Sequence, residues 1–492
     1  MSDHNFSIPR FVKRHWILFA CVFIIQFLYI LFSITYYQVG FPLDDSWIHQ
    51  TYAKNLLFYN DWVFTPGIKS AGSTAPLWNL LLVPGHIFHN KFFFVWTFLI
   101  SGIFMSLICV IFQKLFDNLS NSIGGFPWAG LVLGLEWHLI WVTNSGMETI
   151  LFVFLIQLFF FSLIGKNAQL RWLPGLLVGL IVFVRPDGIT LFGPFIVVMI
   201  YYQLIGKAKF ADLFVNLLII LAFIIFYGAF NLRLSGEFLP NTFYAKQAEY
   251  SLLFSQPLLT RYLKLLLIPV TGAGLLMIPG FIYFLYRKLK QFDIFVISLY
   301  SWFAGYILIY AIRLPVVYQH GRYIIPTIPV FFLLSLLGLN EIKDRKYKYK
   351  SQINFGFASA FFSLLIIFLY LGGKAYSKDV AIIQTEMVRT AQWIDNNLDK
   401  DAIIAAHDIG ALGFFANRQI IDLAGLVNPE VIPFIRDEVK LNQYLFDKNA
   451  DYLVVFPDWY ETLASLKNEI YSSDGIFSPS LGGSNMKIFI WE

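Results

Sequence analysis

Apolar residues run along this chain in long stretches, separated by short polar segments that carry most of the charge. A helix needs roughly 20 apolar residues to cross a bilayer core. The pattern therefore predicts a polytopic α-helical membrane protein with about eleven transmembrane helices. The predicted spans are residues 15–37, 93–114, 127–143, 148–165, 172–184, 188–205, 212–232, 265–286, 292–312, 323–340 and 353–373.

Basic residues occupy alternate connections between these spans and so predict an orientation. Lys and Arg favour the cytoplasmic side, and the largest cluster runs from Lys343 to Lys350. If that cluster is cytoplasmic, the N-terminus is cytoplasmic too, provided that residues 75–88 do not cross. That segment is short and contains Pro76 and Pro84, so we predict an interfacial helix. The expected location is the plasma membrane.

The composition changes after residue 373, where charged helical stretches alternate with short apolar runs typical of strands. With eleven spans this tail lies outside the cell. We therefore predict a transmembrane module followed by an extracytoplasmic α/β domain. The module is residues 1–373 with a first outside loop at residues 40–90, the domain is residues 374–492, and its strand-like runs are residues 402–406, 452–456 and 487–491.

Composition narrows the class of protein further. The chain is 58% hydrophobic and 14% charged, whereas soluble domains carry about 25% charged residues. The two cysteines, Cys21 and Cys109, lie in apolar runs, so a disulfide framework has no support. Basic clusters beside base-stacking motifs are absent, which excludes nucleic-acid binding. Gly-rich phosphate loops and zinc-ligand spacings are also absent, and no organic cofactor is expected.

Two adjacent carboxylates, Asp44 and Asp45, follow the first span. Carboxylates just beyond the end of a membrane span are energetically unfavourable unless they bind a cation or a substrate. One of them could cap the helix that continues to Leu57, but a cap does not explain both. A carboxylate here can deprotonate an acceptor hydroxyl, while its neighbour orients that group or coordinates a divalent cation.

Short motifs along most of the chain resemble those of the GT-C superfamily of membrane glycosyltransferases. The order and amino-acid sequences of these motifs are most similar to those of the arabinofuranosyltransferases that add terminal residues to actinobacterial cell-wall polymers, and to those of bacterial relatives of these enzymes. The motifs are DDSWI at residues 44–48, AGSTAPLW at 71–78, GMET at 146–149, RPDG at 185–188, LPNTFYAK at 239–246, HGRY at 320–323, HDIGALG at 407–413 and IDLAGL at 421–426.

The resemblance implies transfer of a sugar from a polyprenyl-phosphate donor to a carbohydrate, lipid or protein acceptor outside the cell, with inversion expected. Asp44 matches the position of the family's catalytic base, with Asp45 as its partner. Glu148 matches an acidic residue that in relatives helps to bind metal or substrate, so a divalent cation at Asp45 and Glu148 is a further expectation. Glu148 could instead cap the span that follows it.

Positive charge on the outer side is scarce, which draws attention to Lys246 and Arg322. Arg binds phosphate oxygens through parallel hydrogen bonds and Lys acts as a point charge. Both are therefore expected to bind the donor phosphate, with Asn241, Tyr244 and His320 as further substrate ligands. Outer cations in general could instead snorkel to lipid headgroups, but Lys246 and Arg322 are exceptions because both lie in motif-like runs with polar neighbours. The alternatives for the other ligands are a turn role for Asn241 and a structural histidine at His320.

A transporter or flippase of lipid-linked sugars is the alternative function. Such a protein should have discontinuous spans with substrate groups near the bilayer midplane. Here the polar residues gather in the outside loops, which favours an enzyme. Glu136 and His138, inside the third predicted span, are left outside the site, and Arg185 with Asp187 is interpreted as an ion pair that holds a turn.

Overall fold

The structure is a computed structural model that describes residues 10–88, 91–121, 125–164, 171–343, 345, 348–465 and 467–491. Its helices are α1 Arg10–Tyr36, α2 Asp45–Tyr59, α3 Pro76–Leu82, α4 Phe92–Ser120, α5 Trp128–Gly134, α6 Trp137–Thr143, α7 Thr149–Ile164, α8 Leu173–Val184, α9 Phe192–Leu204, α10 Phe210–Ser235, α11 Asn241–Glu249, α12 Leu258–Val270, α13 Gly274–Gln291, α14 Ile294–Arg313, α15 Tyr318–Gly321, α16 Ile328–Lys343, α17 Lys350–Ile383, α18 Arg389–Asn397, α19 Gly410–Phe415, α20 Glu438–Asp447 and α21 Glu461–Ser465. The strands are β1 Val63–Thr65, β2 Ile68–Lys69, β3 Ile403–Ala406, β4 Gln419–Asp422, β5 Tyr452–Val455, β6 Glu469–Ser472 and β7 Lys487–Ile490.

The predicted polytopic helical fold is confirmed. Within the described ranges, 7 helices are long and apolar enough to cross a membrane, and an eighth span results if α12 and α13, which meet at 107°, are taken together. The apolar helices α7 and α8 are shorter than the other spans. Helix α3 has 7 residues, which is too short to cross, as predicted for residues 75–88.

The third predicted span, residues 127–143, is wrong as a single helix. The chain breaks between α5 and α6, and each piece has 7 residues. Glu136 begins the second piece because its carboxylate accepts a hydrogen bond from the backbone N–H of Leu139. Its other carboxylate oxygen lies 2.7 Å from Nδ1 of His138. The two ionisable residues of this segment thus partner each other where the helix is interrupted.

The membrane part and the C-terminal domain are joined by a continuous helix. Helix α17 runs through the predicted boundary at residue 373, and a π-helical turn, Gln384–Val388, connects it to α18. Glu386 in this turn is buried and accepts a hydrogen bond from the backbone N–H of Met486. The domain therefore extends directly from a membrane helix without a loose linker.

The C-terminal domain contains a five-stranded sheet in the order β4-β3-β5-β7-β6. Strands β4, β3 and β5 are parallel, whereas β7 pairs antiparallel with both β5 and β6. The predicted strand runs correspond to β3, β5 and β7, while β4 and β6 were not predicted. The α/β character of the domain is confirmed.

Alternate residues of the sheet pack against different helices, as the period of two along a strand requires. On one face Ile404 and Val454 pack in a cluster with side chains of α2, α18 and α19. On the other face Ala405 and Leu453 pack with α20 and α21. Because the first face rests on α2, the next helix after α1, the sheet is packed against the loop that follows the first membrane helix.

The orientation of the chain remains a prediction and can be tested with single cysteines after Cys21 and Cys109 are replaced by alanine. Val439 on α20 is 76% exposed, so a cysteine there should react with a membrane-impermeant maleimide in intact cells. A cysteine at Lys343, in the basic cluster, should react only after the membrane is permeabilised. Labelling of the position-439 cysteine only from the cytoplasmic side would contradict the orientation.

Candidate active site

A cavity of about 1030 Å³, counting the space at its open mouth, lies between the interfacial helices, the membrane helices and the C-terminal domain. The interfacial helices α2 and α11 contribute Asp45 and Lys246, and Leu426 contributes a wall from the C-terminal domain. The remaining charged or aromatic lining residues are His49, Glu148, Arg185, Asp187, Phe243, Tyr310, Arg313, Arg322 and Tyr323. Four of the cavity's side chains are basic and three are acidic, so oppositely charged groups meet in one place.

Asp45 and Arg322 form an ion pair at the centre of this arrangement. Asp45 is the first residue of α2, and Arg322 follows the short α15 segment, so the pair joins the loop after α1 to the segment between α14 and α16. Nη2 of Arg322 lies 2.5 Å from Oδ2 of Asp45. Burial alone would raise the pKa of Asp45, but the charges of Arg322 and Lys246 outweigh it and hold that pKa below its usual value.

Arg322 has more hydrogen-bond donors than the described residues satisfy. Nη2 donates to Asp45 and, at 3.0 Å, to the hydroxyl of Tyr323. Nε and Nη1 are buried and have no partner among the described residues. Buried donors without partners are costly, and a guanidinium presents them in a fork that suits two oxygens of one anion. Arg322 is thus suited to bind an anion in the cavity.

Lys246 is held by Glu249 one turn further along α11. The Nζ of Lys246 lies 3.0 Å from Oε2 of Glu249, and Oε1 of Glu249 lies 3.6 Å from Nε2 of His407 in the C-terminal domain. Burial opposes the charge of Lys246, but the carboxylate of Glu249 outweighs it and raises the pKa of Lys246 well above its usual value. Lys246 therefore stays cationic at the cavity wall.

Arg185 ends α8 and pairs with Asp187, as expected for this turn. Its Nη2 lies 2.7 Å from Oδ2 of Asp187 and 2.7 Å from the hydroxyl of Tyr310. The same guanidinium lies 3.6 Å from Glu148. The turn is therefore held by an ion pair, yet it also lines the cavity, so the two interpretations of this motif are compatible.

Glu148 faces two cationic or protonatable partners, since His49 Nε2 lies 3.1 Å from its Oε2 and Arg185 lies on its other side. The opposite ring nitrogen of His49 lies 2.7 Å from Oδ1 of Asn79, which orients the imidazole. Helix α7 begins at the next residue, Thr149. Glu148 thus lies at a helix start and lines the cavity.

Asp44 occupies a different place from the one expected and does not line this cavity. Its Oδ2 and Oδ1 accept hydrogen bonds from the backbone N–H groups of Gly410 and Ala411, at 2.6 and 2.8 Å. Its side chain makes no hydrogen bond to the start of α2, so it caps α19 instead. Burial raises the pKa of Asp44 to about 8, and Asp408 adds to the shift against these two donors. A cap between two parts of the chain cannot be read from local sequence.

The other three expected ligands also lie outside the cavity wall. His320 Nε2 lies 2.8 Å from Oδ2 of Asp379 on α17, and its backbone is left-handed with φ of 57°. The side-chain amide of Asn241 donates to the carbonyl of Leu426 at 3.2 Å. Tyr244 packs edge-on against Phe243, which does line the cavity. Of the expected site residues, Asp45, Glu148, Lys246 and Arg322 thus line the cavity, whereas Asp44, Asn241, Tyr244 and His320 do not.

Asp45 and Glu148, as arranged, do not fit a divalent cation. A metal prefers several free carboxylate oxygens, whereas Asp45 is paired with Arg322 and Glu148 with His49 and Arg185. Within the described ranges, His, Cys, Asp and Glu side chains form no group of 3 or more that could hold a metal ion.

A second cavity, of about 700 Å³, lies between α9 and α14 and shares Ile309 with the first. Gly193 and Gly305 line it, and at both positions the space where a Cβ would point is open. Most of the remaining lining is apolar, including Val197, Ile294 and Ile297. A mostly apolar groove between two membrane helices, whose volume counts the space at its open side, therefore adjoins the charged cavity at Ile309.

The sequence interpretation missed several lining residues. His49 was not singled out because it lies four residues inside α2, where an isolated histidine carries no signal. Tyr310 and Tyr323 come from predicted spans, in which aromatic residues are abundant. Arg313 also lines the cavity, and its guanidinium lies 3.7 Å from the ring centre of Phe243. The scarcity of cations on the predicted outer side was the signal that could have identified Arg313.

Comparison with known proteins supports the fold. A family model described as a domain of unknown function (DUF8728) matches residues 378–489. No curated protein matches the chain. The crystal structure of ArnT from Cupriavidus metallidurans, bound to undecaprenyl phosphate, is similar with a TM-score of 0.57 at 12% identity, over 97% of this chain and 98% of that chain.

The oligosaccharyltransferase of Archaeoglobus fulgidus is similar as well. Its structure tethered with an acceptor peptide gives a TM-score of 0.59 at 13% identity, over 94% of this chain and 73% of that chain. Its complex with an inhibitory peptide and a dolichol-phosphate gives 0.53 at 13%, over 91% and 70%. At this identity the likeness concerns the fold. The predicted fold, a polytopic helical part followed by a C-terminal α/β domain, is confirmed.

The cap at Asp44 predicts an effect on stability. Asp44→Ala leaves the buried N–H groups of Gly410 and Ala411 without an acceptor, which should cost about 1–3 kcal/mol. Thermal unfolding of the detergent-solubilised protein should show a lower Tm. Asp437 caps α20 at the exposed surface of the same domain, so Asp437→Ala is the matched control and should lower Tm less. An unchanged Tm for Asp44→Ala would refute the capping role.

Proposed function

We propose that this chain is a glycosyltransferase that takes a sugar from a polyprenyl-phosphate donor at the extracytoplasmic face of the plasma membrane. The acceptor would be a hydroxyl group of a carbohydrate, lipid or protein. The observation that carries the proposal is the guanidinium of Arg322, which lies near the carboxylate of Asp45 and a second cation, Lys246. Its buried Nε and Nη1 have no partner in the part of the chain that the structure describes.

The charges of the cavity suit the leaving group of such a reaction. A departing polyprenyl phosphate carries negative charge on its oxygens, and fixed cations in a dry site stabilise developing charge strongly. Arg322 would bind two phosphate oxygens and Lys246 a third. Arg185 is engaged by Asp187 and Tyr310, so its contribution is to fix the cavity wall.

Asp45, whose side chain is 28% exposed, is the carboxylate best placed to act as the base. The acceptor oxygen would attack the anomeric carbon of the donor while its proton passes to Asp45. The bond from that carbon to the phosphate oxygen breaks, and its electron pair leaves with polyprenyl phosphate. A single displacement of this kind inverts the anomeric configuration. Asp44, with both oxygens bound to the C-terminal domain, would hold its neighbour in position.

The apolar groove between α9 and α14 suits the polyprenyl chain. It adjoins the charged cavity at Ile309, and the missing side chains at Gly193 and Gly305 leave room for branched isoprene units. A lipid lying there would place its phosphate at the cavity and its tail at the bilayer. This continuity of a charged site with an apolar groove is what a lipid-phosphate donor requires.

The transporter alternative predicts discontinuous spans, and the structure has a broken segment at α5 and α6 and a bend between α12 and α13. However, the ionisable residues at the break, Glu136 and His138, bond to each other. Arg322, whose Nε and Nη1 have no partner among the described residues, lies instead in the charged cavity. This distribution favours transfer over transport.

Purified protein incubated with a panel of radiolabelled polyprenyl-phosphate sugars tests the proposal, with release of polyprenyl phosphate as the readout. The panel should include both hexoses and pentoses. Pentoses are needed because the motif sequences resemble those of arabinofuranosyltransferases. Release that depends on the protein and on an added acceptor supports the enzyme. Movement of intact lipid-linked sugar across proteoliposomes without release would support the transporter.

Arg322 and Asp45 should have separable effects. Arg322→Ala removes charge-assisted hydrogen bonds worth about 1.5–3 kcal/mol, so the Kd for undecaprenyl phosphate should rise by about 10- to 100-fold. Asp45→Asn cannot accept a proton, so kcat should fall by about 100- to 10,000-fold, with no loss of lipid affinity. Arg345→Ala, an exposed arginine beside Tyr283, is the control. If Arg322→Ala and Asp45→Asn raised the Kd for undecaprenyl phosphate equally, the assignment of Arg322 to phosphate binding and of Asp45 to proton transfer would be contradicted.

The pH dependence of transfer distinguishes Asp45 from Asp44 as the base. The pKa of Asp45 lies below its usual value, so Asp45 stays ionised and kcat should stay nearly flat from about pH 8 to about pH 5. Burial raises the pKa of Asp44 to about 8, so a reaction that used Asp44 would lose about tenfold in rate per pH unit below that value. A tenfold fall in rate per pH unit below about pH 8, which disappears in Asp44→Asn, would contradict the assignment of Asp45 as the base.

A further inference from the structure

The C-terminal sheet has a topological switch point next to the cavity. From β3 the chain turns toward β4 on one side, whereas from β5 it continues toward β6 and β7 on the other. In open α/β sheets the loops that leave such neighbouring strands diverge and leave a crevice at their carboxyl ends, where ligands bind. The crevice here lies between the segments that follow Ala406 and Val455.

The side chains at this crevice are polar and aromatic. His407 and Asp408 follow β3, while Trp459 and Tyr460 follow β5. Nδ1 of His407 lies 2.7 Å from the hydroxyl of Tyr460, and the rings of His407 and Trp459 meet edge-on with centres 5.2 Å apart. The two diverging loops therefore contact each other through these side chains.

Two of these groups are free to contact a ligand. The indole of Trp459 is 53% exposed, although its edge contacts His407 and Phe456. Asp408 is partly exposed, and the structure describes no hydrogen bond or ion pair of its carboxylate. An exposed indole and a partly exposed carboxylate therefore lie on the segments that follow two neighbouring strands.

A row of paired charged side chains links the crevice to the cavity. Lys246 at the cavity wall pairs with Glu249, and Glu249 reaches His407 at the crevice. Asp408 is close enough to Asp44 to raise its pKa. A molecule that reached from the crevice along Glu249 would thus place one end beside Asp45.

The chemistry of the crevice matches a saccharide. The C–H face of a sugar ring packs against the electron-rich face of an indole, while carboxylate and imidazole groups bind its hydroxyls. A lipid would need a longer apolar surface than one indole. Nucleic acid would be repelled by Asp408, Asp458 and Glu249.

We propose that the crevice between the carboxyl ends of β3 and β5 binds the saccharide portion of the acceptor, with Trp459 as the stacking platform and Asp408 as a hydroxyl acceptor. This inference rests on the proposed transfer reaction and names its acceptor class as carbohydrate. Trp459 would set acceptor specificity without touching the donor phosphate.

Direct binding tests the crevice without any donor lipid. Full-length protein in nanodiscs is applied to a microarray of oligosaccharides built from hexoses, pentoses, deoxyhexoses and amino sugars, with unglycosylated peptides as additional spots. We expect wild type to bind a subset of saccharides, Trp459→Ala to lose at least about tenfold in signal, and Trp459→Phe to lose less because it retains a ring. Phe446, 66% exposed at the end of α20, gives the matched control Phe446→Ala, which should bind normally.

The outcomes separate this inference from the transfer reaction. Failure of wild type to bind any saccharide, binding to peptides alone, or unchanged binding by Trp459→Ala would overturn the crevice assignment, whatever the donor assay shows. In the transfer assay Trp459→Ala should raise the acceptor KM by about tenfold with an unchanged Kd for undecaprenyl phosphate. Thermal unfolding of both variants checks that the domain remains folded.

Discussion

Two adjacent carboxylates in the loop after the first membrane helix have partners in different parts of the protein, and the arrangement of the site depends on both contacts. Asp44 accepts hydrogen bonds from Gly410 and Ala411 of the C-terminal domain, whereas Asp45 pairs with Arg322 from the membrane part. A β-carbon at Gly410 would lie 2.0 Å from the carbonyl oxygen of Asp44, so the two backbones are in close contact. One dipeptide thus connects the outer loop, a membrane helix and the C-terminal domain.

Pairing between acidic and basic side chains explains how so many charged groups can lie together at the edge of the membrane. A buried ion pair that loses one partner leaves an uncompensated charge, which is strongly unfavourable. Asp45, Glu249 and Asp187 each face a cation of the cavity. The excess is on the cationic side, in the Nε and Nη1 donors of Arg322, for which the described residues provide no partner. An anion completes this set, which is why a phosphate group suits the cavity better than a neutral substrate or a metal ion.

Sequence patterns predicted the membrane class, most helix positions and the α/β domain because long apolar runs and alternating strands are local signals. Arg322 and Lys246 were recognised because cations outside are rare. The capping by Asp44 and the pair of His320 with Asp379 depend on residues 366 and 59 positions away, respectively, and no local pattern reports such contacts. The break at Glu136 was missed because the surrounding apolar composition resembles one continuous span.

The central claim is that the cavity holds the phosphate of a polyprenyl phosphate whose tail lies between α9 and α14. A cryo-electron microscopy structure of the protein in nanodiscs with undecaprenyl phosphate tests it most directly. The account predicts phosphate density within hydrogen-bonding distance of Arg322 and Lys246, with lipid density continuing past Ile309 toward Gly193 and Gly305. A phosphate bound elsewhere, or an empty cavity at saturating lipid, would contradict it.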